Sequence, residues 1–284
     1  MKTKKHFKTI RFPAATLLLL ACFAVSAQAA DIFTPREGRR VLVVAHRGAN
    51  KFAPANTIPA TEKAIEMKLD FVEIDVRTTK DGRLVIMHNS TVDGTTDGKG
   101  AVRDLTLEEI KKLDAGVRVS PNFKGVRVPT IEEYFAAAQG KINTYLDWKD
   151  AEPATLAAAI EKAGAVDSTI VYGGPLLLLE LKKINPNIRV MPDAENAKQL
   201  TAMRDAGLSF ETVGASMMTF NAKLSEKAHE MGAKVFVDIL GQAESCAGVK
   251  KAIRYGADAV QSDQPDMVLR CLDSMDKEAP VGTK

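Results

Sequence analysis

A regular alternation of short apolar runs with amphipathic helical patterns is the feature that most constrains the fold. Helical segments with apolar residues three or four positions apart separate the runs, such as Ile58–Met67, Thr155–Lys162 and Leu176–Ile184. The runs that predict buried strands are Val41–Ala45, Phe71–Arg77, Asn143–Trp148, Thr169–Tyr172, Ile188–Met191, Thr212–Ala215, Lys234–Ile239 and Ala257–Gln261. Eight strands that alternate with helices over about 255 residues predict the α/β class and a (β/α)8 TIM barrel.

A ninth apolar run, Leu84–Met87, follows the second strand after only a few residues. A parallel connection needs a dozen or more residues, so this run must return antiparallel through the Asp81-Gly82 turn. The resulting hairpin brings His88 beside Glu73 and Asp75, because they lie at similar distances from the turn.

The segment after this hairpin breaks the alternation. It is polar and rich in glycine, and it holds one short helical candidate, Thr106–Leu113. We therefore expect residues 89–129 to form a small insertion after the second-strand hairpin, above the mouth of the barrel.

The first 29 residues have the anatomy of a secretory signal peptide. The apolar run Ala14–Val25 precedes the small-residue site Ala27-Gln28-Ala29. The basic residues before that run are Lys2, Lys4, Lys5, Lys8 and Arg11. We predict a signal peptide over 1–29, a barrel domain over 30–284, and a periplasmic or secreted protein. A lipoprotein anchored through Cys22 is the alternative, because Leu19-Leu20-Ala21-Cys22 resembles a lipoprotein signal.

The net charge and the cysteine count change when the signal peptide is removed. The whole chain carries 39 Lys and Arg against 36 Asp and Glu, a net charge of +3. Without the five basic residues of the signal, 34 oppose 36, a net charge of −2. No basic patch remains, which excludes nucleic acid as a partner, and no run is long enough for a transmembrane helix. Cys246 and Cys271 remain and could pair, but we expect two unpaired, partly buried thiols.

Polar residues collect at the predicted carboxyl ends of the first strands. Residues two apart on a strand share a face, and barrel enzymes build their active sites at these strand ends. The candidates are His46 and Arg47 after the first strand, Glu73 and Asp75 on the second, Asp147 and Lys149 at the end of the third, and His88 after the hairpin.

Three of these candidates, Glu73, Asp75 and Asp147, are carboxylates. A buried, unpaired carboxylate costs several kcal/mol, and a divalent cation relieves the repulsion among three of them. Ligation by oxygen alone indicates Ca²⁺ or Mg²⁺ rather than zinc. The alternative is that Glu73 and Asp75 lie on a solvent face or pair with Arg77 and Arg83.

The remaining candidates are suited to a phosphate ester. Arg47 offers a planar fork to an oxyanion and Lys149 a point charge. His46 and His88 are two of the three histidines that follow the signal peptide, and we place the third, His229, on the surface. A metal cation, Arg47 and Lys149 can stabilise the negative charge of the transition state of a phosphate ester. The two histidines can serve as its general acid and general base.

These residues stand in motifs that resemble those of the glycerophosphodiester phosphodiesterases, barrel enzymes related to the phosphatidylinositol-specific phospholipases C. The motifs are His46-Arg47-Gly48, Pro54-Ala55-Asn56-Thr57, Glu73-Ile74-Asp75-Val76, Thr79-Lys80-Asp81-Gly82, Val85-Ile86-Met87-His88, Asp147-Trp148-Lys149 and Ser262-Asp263-Gln264-Pro265. Their order along most of the chain, rather than any single motif, carries the resemblance.

The resemblance implies an activity and a role for each candidate. A glycerophosphodiester would be hydrolysed to glycerol 3-phosphate and an alcohol, after attack by the glycerol 2-hydroxyl or by water. The implied roles are general acid and base for His46 and His88, metal ligation for Glu73, Asp75 and Asp147, and phosphate contacts for Arg47 and Lys149.

The chain departs from the family motifs at four places. Ala55 and Asp147 each replace a Glu, and Asn89 replaces the Asp that usually follows the second histidine. Val237-Asp238-Ile239 replaces a Trp-Thr-Val-Asn-like strand end, which rebuilds the substrate-side wall. Two other hypotheses therefore stay open: a non-catalytic binder of phosphorylated glycerol or lipid head groups, and a phospholipase of the C or D type that acts on membrane lipid.

Overall fold

Strands and helices alternate along residues 31–278, the part of the chain that the computed structural model describes. The strands are β1 (Leu42–Ala45), β2 (Phe71–Thr78), β3 (Leu84–Ile86), β4 (Asn143–Trp148), β5 (Thr169–Gly173), β6 (Arg189–Pro192), β7 (Thr212–Ser216), β8 (Lys234–Asp238) and β9 (Ala259–Ser262). The α-helices are α1 (Ile58–Glu66), α2 (Leu107–Lys112), α3 (Ile131–Ala138), α4 (Pro153–Lys162), α5 (Pro175–Ile184), α6 (Ala197–Asp205), α7 (Ala222–Glu230), α8 (Cys246–Arg254) and α9 (Pro265–Glu278). The predicted signal peptide, with Cys22, lies outside the described residues.

Eight of the strands form a nearly closed parallel barrel, which confirms the predicted fold. Their order in the sheet is β6-β5-β4-β2-β1-β9-β8-β7, and each neighbouring pair is parallel. The two outer strands meet at a single bridge between Asp193 and Gly214. There the Ala194 N–H donates to the Gly214 carbonyl oxygen at 3.0 Å. The pairing of β6 with β7, which closes the barrel, is therefore much shorter than the pairings between the other neighbouring strands.

The ninth strand, β3, pairs antiparallel with β2, as the short connection predicts. Val76 lies opposite Ile86 in this pairing. The turn is tightened by the Thr79 hydroxyl, which donates to Asp81 at 2.6 Å, and by Gly82 at φ 74°. His88 is thereby returned to the carboxyl end of β2.

Apolar side chains fill both faces of the barrel strands. One buried cluster lies inside the barrel and includes Phe71 and Phe236, whose rings meet edge to face at 5.4 Å. A larger cluster fills the layer between the strands and the surrounding helices. Burial on both faces explains why the strands are continuous apolar runs in the sequence. Any charged residue that points into such a barrel must find partners there.

Two helices begin earlier than their apolar spacing predicts. The sequence pattern places the starts at Thr155 and Leu176, but α4 begins at Pro153 and α5 at Pro175. Proline suits the first helical position because the N–H that it lacks would have no partner there. No helix among residues 31–278 has both the length and the apolar character needed to cross a membrane.

The segment between β3 and α3 has a small apolar core of its own. Helix α2 begins with a capping box, in which the Thr106 hydroxyl accepts from the Glu109 N–H and the Glu109 carboxylate accepts from the Thr106 N–H. The buried members of this core are Val85, Met87, Val92, Val102, Ile110, Ala115 and Val128. This core fixes the segment that follows His88.

Cys246 and Cys271 form a disulfide, so the expectation of two unpaired thiols is wrong. Their Cα atoms lie 5.4 Å apart. Cys246 is the first residue of α8 and Cys271 lies in the middle of α9. The two helices are neighbours on the outside of the barrel, and the 25-residue separation in sequence does not reveal this proximity.

Candidate active site

The three carboxylates predicted to act together meet at the carboxyl ends of β2 and β4. The strand register places Asp75 directly opposite Asp147. Oxygen atoms of these two residues and of Glu73 all lie within 4.8 Å of one another. The side chains of Glu73 and Asp75 are only 2% and 1% exposed. The fold thus brings three acidic groups together at a position that is largely shielded from solvent.

The alternative arrangement for these carboxylates is wrong. Glu73 and Asp75 point into the barrel rather than to a solvent face. The two arginines that could have paired with them bind elsewhere, Arg77 to Asp150 at 2.6 Å and Arg83 to Glu132 at 3.5 Å.

Neighbouring loops supply hydrogen bonds to the two buried carboxylates. Glu73 Oε2 accepts from the backbone N–H of Arg47 at 2.7 Å. Asp75 Oδ2 accepts from Asn56 Nδ2 at 2.7 Å, and the Asp75 N–H donates to Asn56 Oδ1 at 3.2 Å. The other oxygen, Asp75 Oδ1, is buried and has no hydrogen bond of good geometry among the described residues.

The electrostatics of this cluster favour a cation. Burial raises the pKa of Glu73 well above its ordinary value of 4.5, and the charges of Asp75 and Asp147 raise it further. Burial also raises the pKa of Asp147. A divalent cation would stabilise the ionised carboxylates. The described residues therefore fit a metal held by oxygen ligands.

Lys149 is more closely associated with the carboxylates than its predicted role implies. Its Nζ lies 2.6 Å from Asp147 Oδ2 and 3.0 Å from Asp75 Oδ1. The lysine thus bridges two of the three candidate metal ligands. The Lys149 side chain is 20% exposed, so the carboxylates do not enclose it completely.

The turn after β1 holds Arg47 in an uncommon backbone conformation. Arg47 has φ 56° and Gly48 has φ 79°. The Asn56 N–H donates to the Arg47 carbonyl oxygen at 2.9 Å, and the Gly48 N–H donates to the Glu73 carbonyl oxygen at 3.2 Å. Arg47 Nε lies 3.5 Å from Asp75 Oδ2 without a hydrogen bond of good geometry. Its guanidinium therefore retains donor capacity at the site.

His46 is oriented by a residue from the opposite end of the chain. Its Nδ1 lies 2.7 Å from Asp263 Oδ1, and its Nε2 lies 3.9 Å from Glu73 Oε2. Asn50 Nδ2 also donates to Asp263 Oδ1. The hydrogen bond with His46 lowers the pKa of Asp263, so this carboxylate is ionised at neutral pH.

His88 lies at the edge of the same site. Its Nδ1 is 2.8 Å from Asn89 Oδ1, and its carbonyl oxygen accepts from Arg77 Nε at 2.8 Å. His88 lines a small cavity together with Arg47 and Ala55. Two departures from the family motifs, Ala55 and Asn89, therefore lie directly beside the candidate catalytic groups.

Asp263 and Asn56 belong to the sequence motifs, but the sequence predicts no role for either residue at the site. Asp263 follows β9 directly, so the rule that polar groups at strand ends form the site could have found it. Asn56 has φ 59°, a left-handed conformation that asparagine tolerates better than most residues. His229, predicted to be a surface residue, lies on α7 and pairs with Asp258 at 2.7 Å.

The other half of the barrel mouth carries a different set of side chains. Asp238 ends β8 and lies opposite Ser216 at the end of β7. Tyr172 is the next-to-last residue of β5 and packs so closely on Gly214 that a Cβ at Gly214 would lie 2.8 Å from the Tyr172 ring.

Comparison with known proteins agrees with the resemblance in the motifs. Residues 46–173 match the glycerophosphoryl diester phosphodiesterase family. A glycerophosphodiester phosphodiesterase of Caldanaerobacter subterraneus subsp. tengcongensis is 32% identical over 243 residues, which are 82% of this chain and 98% of that protein. One from Bacillus subtilis is 36% identical over 60% of this chain and 64% of its own length. The crystal structure of an Agrobacterium tumefaciens glycerophosphodiester phosphodiesterase superposes with a TM-score of 0.72 at 28% identity, over 81% of this chain and 99% of that one.

Proposed function

Because the chain belongs to the glycerophosphodiester phosphodiesterase family, we propose that it hydrolyses glycerophosphodiesters to glycerol 3-phosphate and an alcohol with the help of a divalent metal. One observation carries the proposal. Two histidines, one of them bound to a carboxylate, lie at the same barrel mouth as a buried acidic triad and two cations.

The proposed metal ligands are Glu73, Asp75 and Asp147. Their donor atoms are all carboxylate oxygens, which suit Ca²⁺ or Mg²⁺. When bound, such an ion supplies Lewis acidity to a phosphate oxygen and neutralises part of the charge of the triad. The backbone N–H of Arg47 and the amide of Asn56 orient two of the ligands from behind.

We assign the general base to His46. Its Nδ1 is bound to Asp263, so Nε2 is the ring nitrogen that faces the site. The nearby carboxylate stabilises the imidazolium that forms when His46 takes a proton from the attacking hydroxyl. Asp263 thus acts as a positioning residue.

We assign the general acid to His88, which then donates a proton to the departing alcohol. Its Nδ1 is bound to the neutral amide of Asn89, so the imidazolium has no carboxylate of its own at that nitrogen.

Arg47 and Lys149 complete the proposed site as phosphate contacts. The guanidinium of Arg47 can bind two phosphate oxygens, and Lys149 adds a point charge on the β4 side. Both lie near Asp75, at 3.5 Å and 3.0 Å. The substrate phosphate is thereby drawn to the half of the mouth where the triad lies.

A product assay tests the proposal. Purified protein is incubated with glycerophosphocholine, glycerophosphoethanolamine or glycerophosphoglycerol and Ca²⁺ or Mg²⁺, and glycerol 3-phosphate is measured with time. We expect turnover that His46→Ala or His88→Ala lowers by at least roughly 100-fold. His229→Ala, which removes the surface histidine of α7, is the matched control and keeps full activity.

Other results would identify the rival functions. Binding of glycerol 3-phosphate that survives both histidine substitutions, with no turnover in the parent protein, would indicate a non-catalytic binder. A cyclic phosphate as the final product in ³¹P NMR would indicate a phospholipase C type of reaction, without the following hydrolysis.

We also propose that the protein is exported to the periplasm or secreted. The predicted signal peptide over residues 1–29 motivates this, and the disulfide between Cys246 and Cys271 supports it, because disulfides persist in oxidising compartments. Mass spectrometry of the mature amino terminus tests it. A chain that begins at residue 30 supports simple export, a lipidated Cys22 indicates the lipoprotein alternative, and an intact Met1 on protein in the cytoplasm refutes export.

A further inference from the structure

Arg77 connects two of the segments that carry the proposed catalytic groups. It lies two residues beyond Asp75 on β2, so strand alternation places both side chains on one face. Its Nε donates to the His88 carbonyl oxygen at 2.8 Å, and its Nη1 donates to Asp150 Oδ2 at 2.6 Å. The guanidinium thus joins the end of the hairpin to the loop that follows β4.

These contacts give Arg77 a different role from that of Arg47. The side chain of Arg77 is only 16% exposed, and its charge is balanced by the ion pair with Asp150. That carboxylate is itself held in place, because Asp150 Oδ1 accepts from the Thr78 N–H at 2.8 Å. The geometry therefore indicates that Arg77 acts within the protein rather than on the substrate phosphate.

The contact of Arg77 with His88 fixes the backbone at the proposed general acid. Pairing of the hairpin extends to Met87, whose N–H donates to the Asp75 carbonyl oxygen at 2.9 Å. The His88 carbonyl, one residue further on, belongs to the peptide unit that joins His88 to Asn89. The side chain of Asn89 in turn holds His88 Nδ1 at 2.8 Å. Arg77 therefore holds the peptide unit from which both the imidazole and its amide partner extend.

The contact of Arg77 with Asp150 reaches the other side of the site. Asp150 directly follows Lys149, the proposed phosphate contact, and the Lys149 N–H donates to the Val76 carbonyl oxygen at 3.2 Å. One side chain thus connects the backbone at the proposed general acid with the loop that begins after the phosphate contact.

We propose that Arg77 is a positioning residue that holds His88 within reach of the departing alcohol. The proposal rests on the proposed function, in which His88 is the general acid. In that step the attacking oxygen forms a bond to phosphorus, the bond from phosphorus to the alcohol oxygen breaks, and the proton of the His88 imidazolium passes to the alcohol oxygen. Because this transfer needs hydrogen-bond distance, a displaced His88 slows the departure of the alcohol.

A leaving group that needs no proton separates this role from a merely structural one. Glycerophosphocholine is compared with the p-nitrophenyl ester of glycerol 3-phosphate, which also yields glycerol 3-phosphate. p-Nitrophenolate is a stable anion, so its departure does not depend on a general acid. We expect Arg77→Met to lower kcat for glycerophosphocholine by at least about tenfold, but that for the p-nitrophenyl ester by less than about threefold. His88→Ala should show the same selectivity.

Two further variants complete the experiment. Arg77→Lys keeps a positive charge for Asp150, but a single amino group does not hold both partners in the geometry of the guanidinium fork. We expect it to keep the Tm of the parent protein and to show the same selective loss. Arg83→Met is the matched control, since Arg83 is the other arginine of the hairpin, is 50% exposed and pairs with Glu132 at 3.5 Å. It should leave kcat for both substrates unchanged.

The outcomes separate this inference from the proposed function. Equal losses for both substrates in Arg77→Met or in His88→Ala, or full kcat for glycerophosphocholine in Arg77→Lys, overturn the inference alone. No release of glycerol 3-phosphate from either substrate by the parent protein refutes the proposed function itself. A loss confined to glycerophosphocholine in both Arg77 variants, and absent from Arg83→Met, supports the positioning role.

Discussion

His46 Nδ1 lies 2.7 Å from Asp263 Oδ1, although 217 residues separate the two in the chain. The contact arises because β1 and β9 are neighbours in the barrel, with Ala45 paired to Ser262. His46, which follows β1, therefore lies beside Asp263, which follows β9. Near-closure of the barrel thus supplies the carboxylate that orients the proposed general base.

Removal of that carboxylate charge should impair catalysis without loss of the fold. We expect Asp263→Asn to lower kcat by roughly 100-fold or more, because the imidazolium of His46 loses its charged partner. KM should change less than twofold. Asp266→Asn, which affects a surface carboxylate bound to Lys51 and Arg270, is the control. Steady-state kinetics provide the measurement, and an unchanged kcat in Asp263→Asn would contradict the role.

Metal removal should abolish turnover reversibly. We expect a chelator to stop hydrolysis and Ca²⁺ or Mg²⁺ to restore it, because the proposed cation neutralises part of the negative charge of Glu73, Asp75 and Asp147. Asp147→Asn should raise the metal concentration needed for half-maximal activity by at least about tenfold. Asp150→Asn, at a surface carboxylate bound to Arg77, should leave that concentration unchanged. Full activity after dialysis against chelator would count against metal dependence.

The pH dependence of stability should reveal the buried Glu73. Its pKa in the folded protein lies well above the ordinary value of 4.5 because of burial and the neighbouring carboxylates. As pH rises above 4.5, Glu73 loses its proton in the unfolded chain before it does so in the folded protein. The free energy of unfolding therefore falls with pH until the raised pKa of the folded protein is reached. Glu73→Gln has no such proton to release.

Thermal melts in chelator from pH 4.5 upward check this prediction. We expect the Tm of Glu73→Gln to rise relative to that of the parent protein as pH increases, and added Ca²⁺ to reverse the difference by stabilising the ionised parent. A difference in Tm that stays constant with pH would show that Glu73 does not titrate in this range.

The disulfide should contribute measurably to stability. Closing a loop across the 25-residue separation of Cys246 and Cys271 corresponds to about 3.5 kcal/mol in the chain-entropy description. We expect the double variant Cys246→Ser, Cys271→Ser to lose about that much free energy of unfolding in urea, with kcat for glycerophosphocholine within twofold of the parent. Thiol titration of the exported parent protein should find no free thiol; two reactive thiols would show that the bond does not form.

The strands could be predicted because each is apolar on both faces, and their ends differ from the predictions by only a few residues. The carboxylates Glu73 and Asp75 stand out for the same reason, as charges inside an apolar run. Spacing alone placed Asp147 and Lys149 on one face. The hairpin length placed His88, because six residues cannot form a parallel crossover.

Contacts between distant segments could not be predicted in this way. The pairing of His46 with Asp263 depends on which strands are neighbours in the nearly closed barrel, and no local pattern encodes that order. The same holds for the disulfide, which depends on the packing of α8 beside α9. The bridging position of Lys149 depends on the register between β2 and β4, since Asp75 and Asp147 must lie opposite each other.

The turn at Gly48 should tolerate no side chain. Gly48 has φ +79°, and a Cβ there would lie 2.7 Å from Ala60 Cβ and 2.9 Å from the Ala60 carbonyl carbon. Gly82 has a similar φ of +74° but no atom within 4 Å of such a Cβ. Gly82→Ala therefore carries only the conformational cost, about 1–2 kcal/mol. Gly48→Ala adds the overlap with α1, and we expect a total loss of at least about 3 kcal/mol.

Because the same turn holds His46 and Arg47, Gly48→Ala should also lower kcat at temperatures where the protein remains folded. Gly82→Ala, in the hairpin turn, should leave kcat unchanged. Replacing Ala60 by Gly in the Gly48→Ala background removes the nearest contact and should recover part of the stability. Urea unfolding and steady-state kinetics of the three variants measure both effects. Equal losses in Gly48→Ala and Gly82→Ala would show that the contact with Ala60 does not constrain the turn.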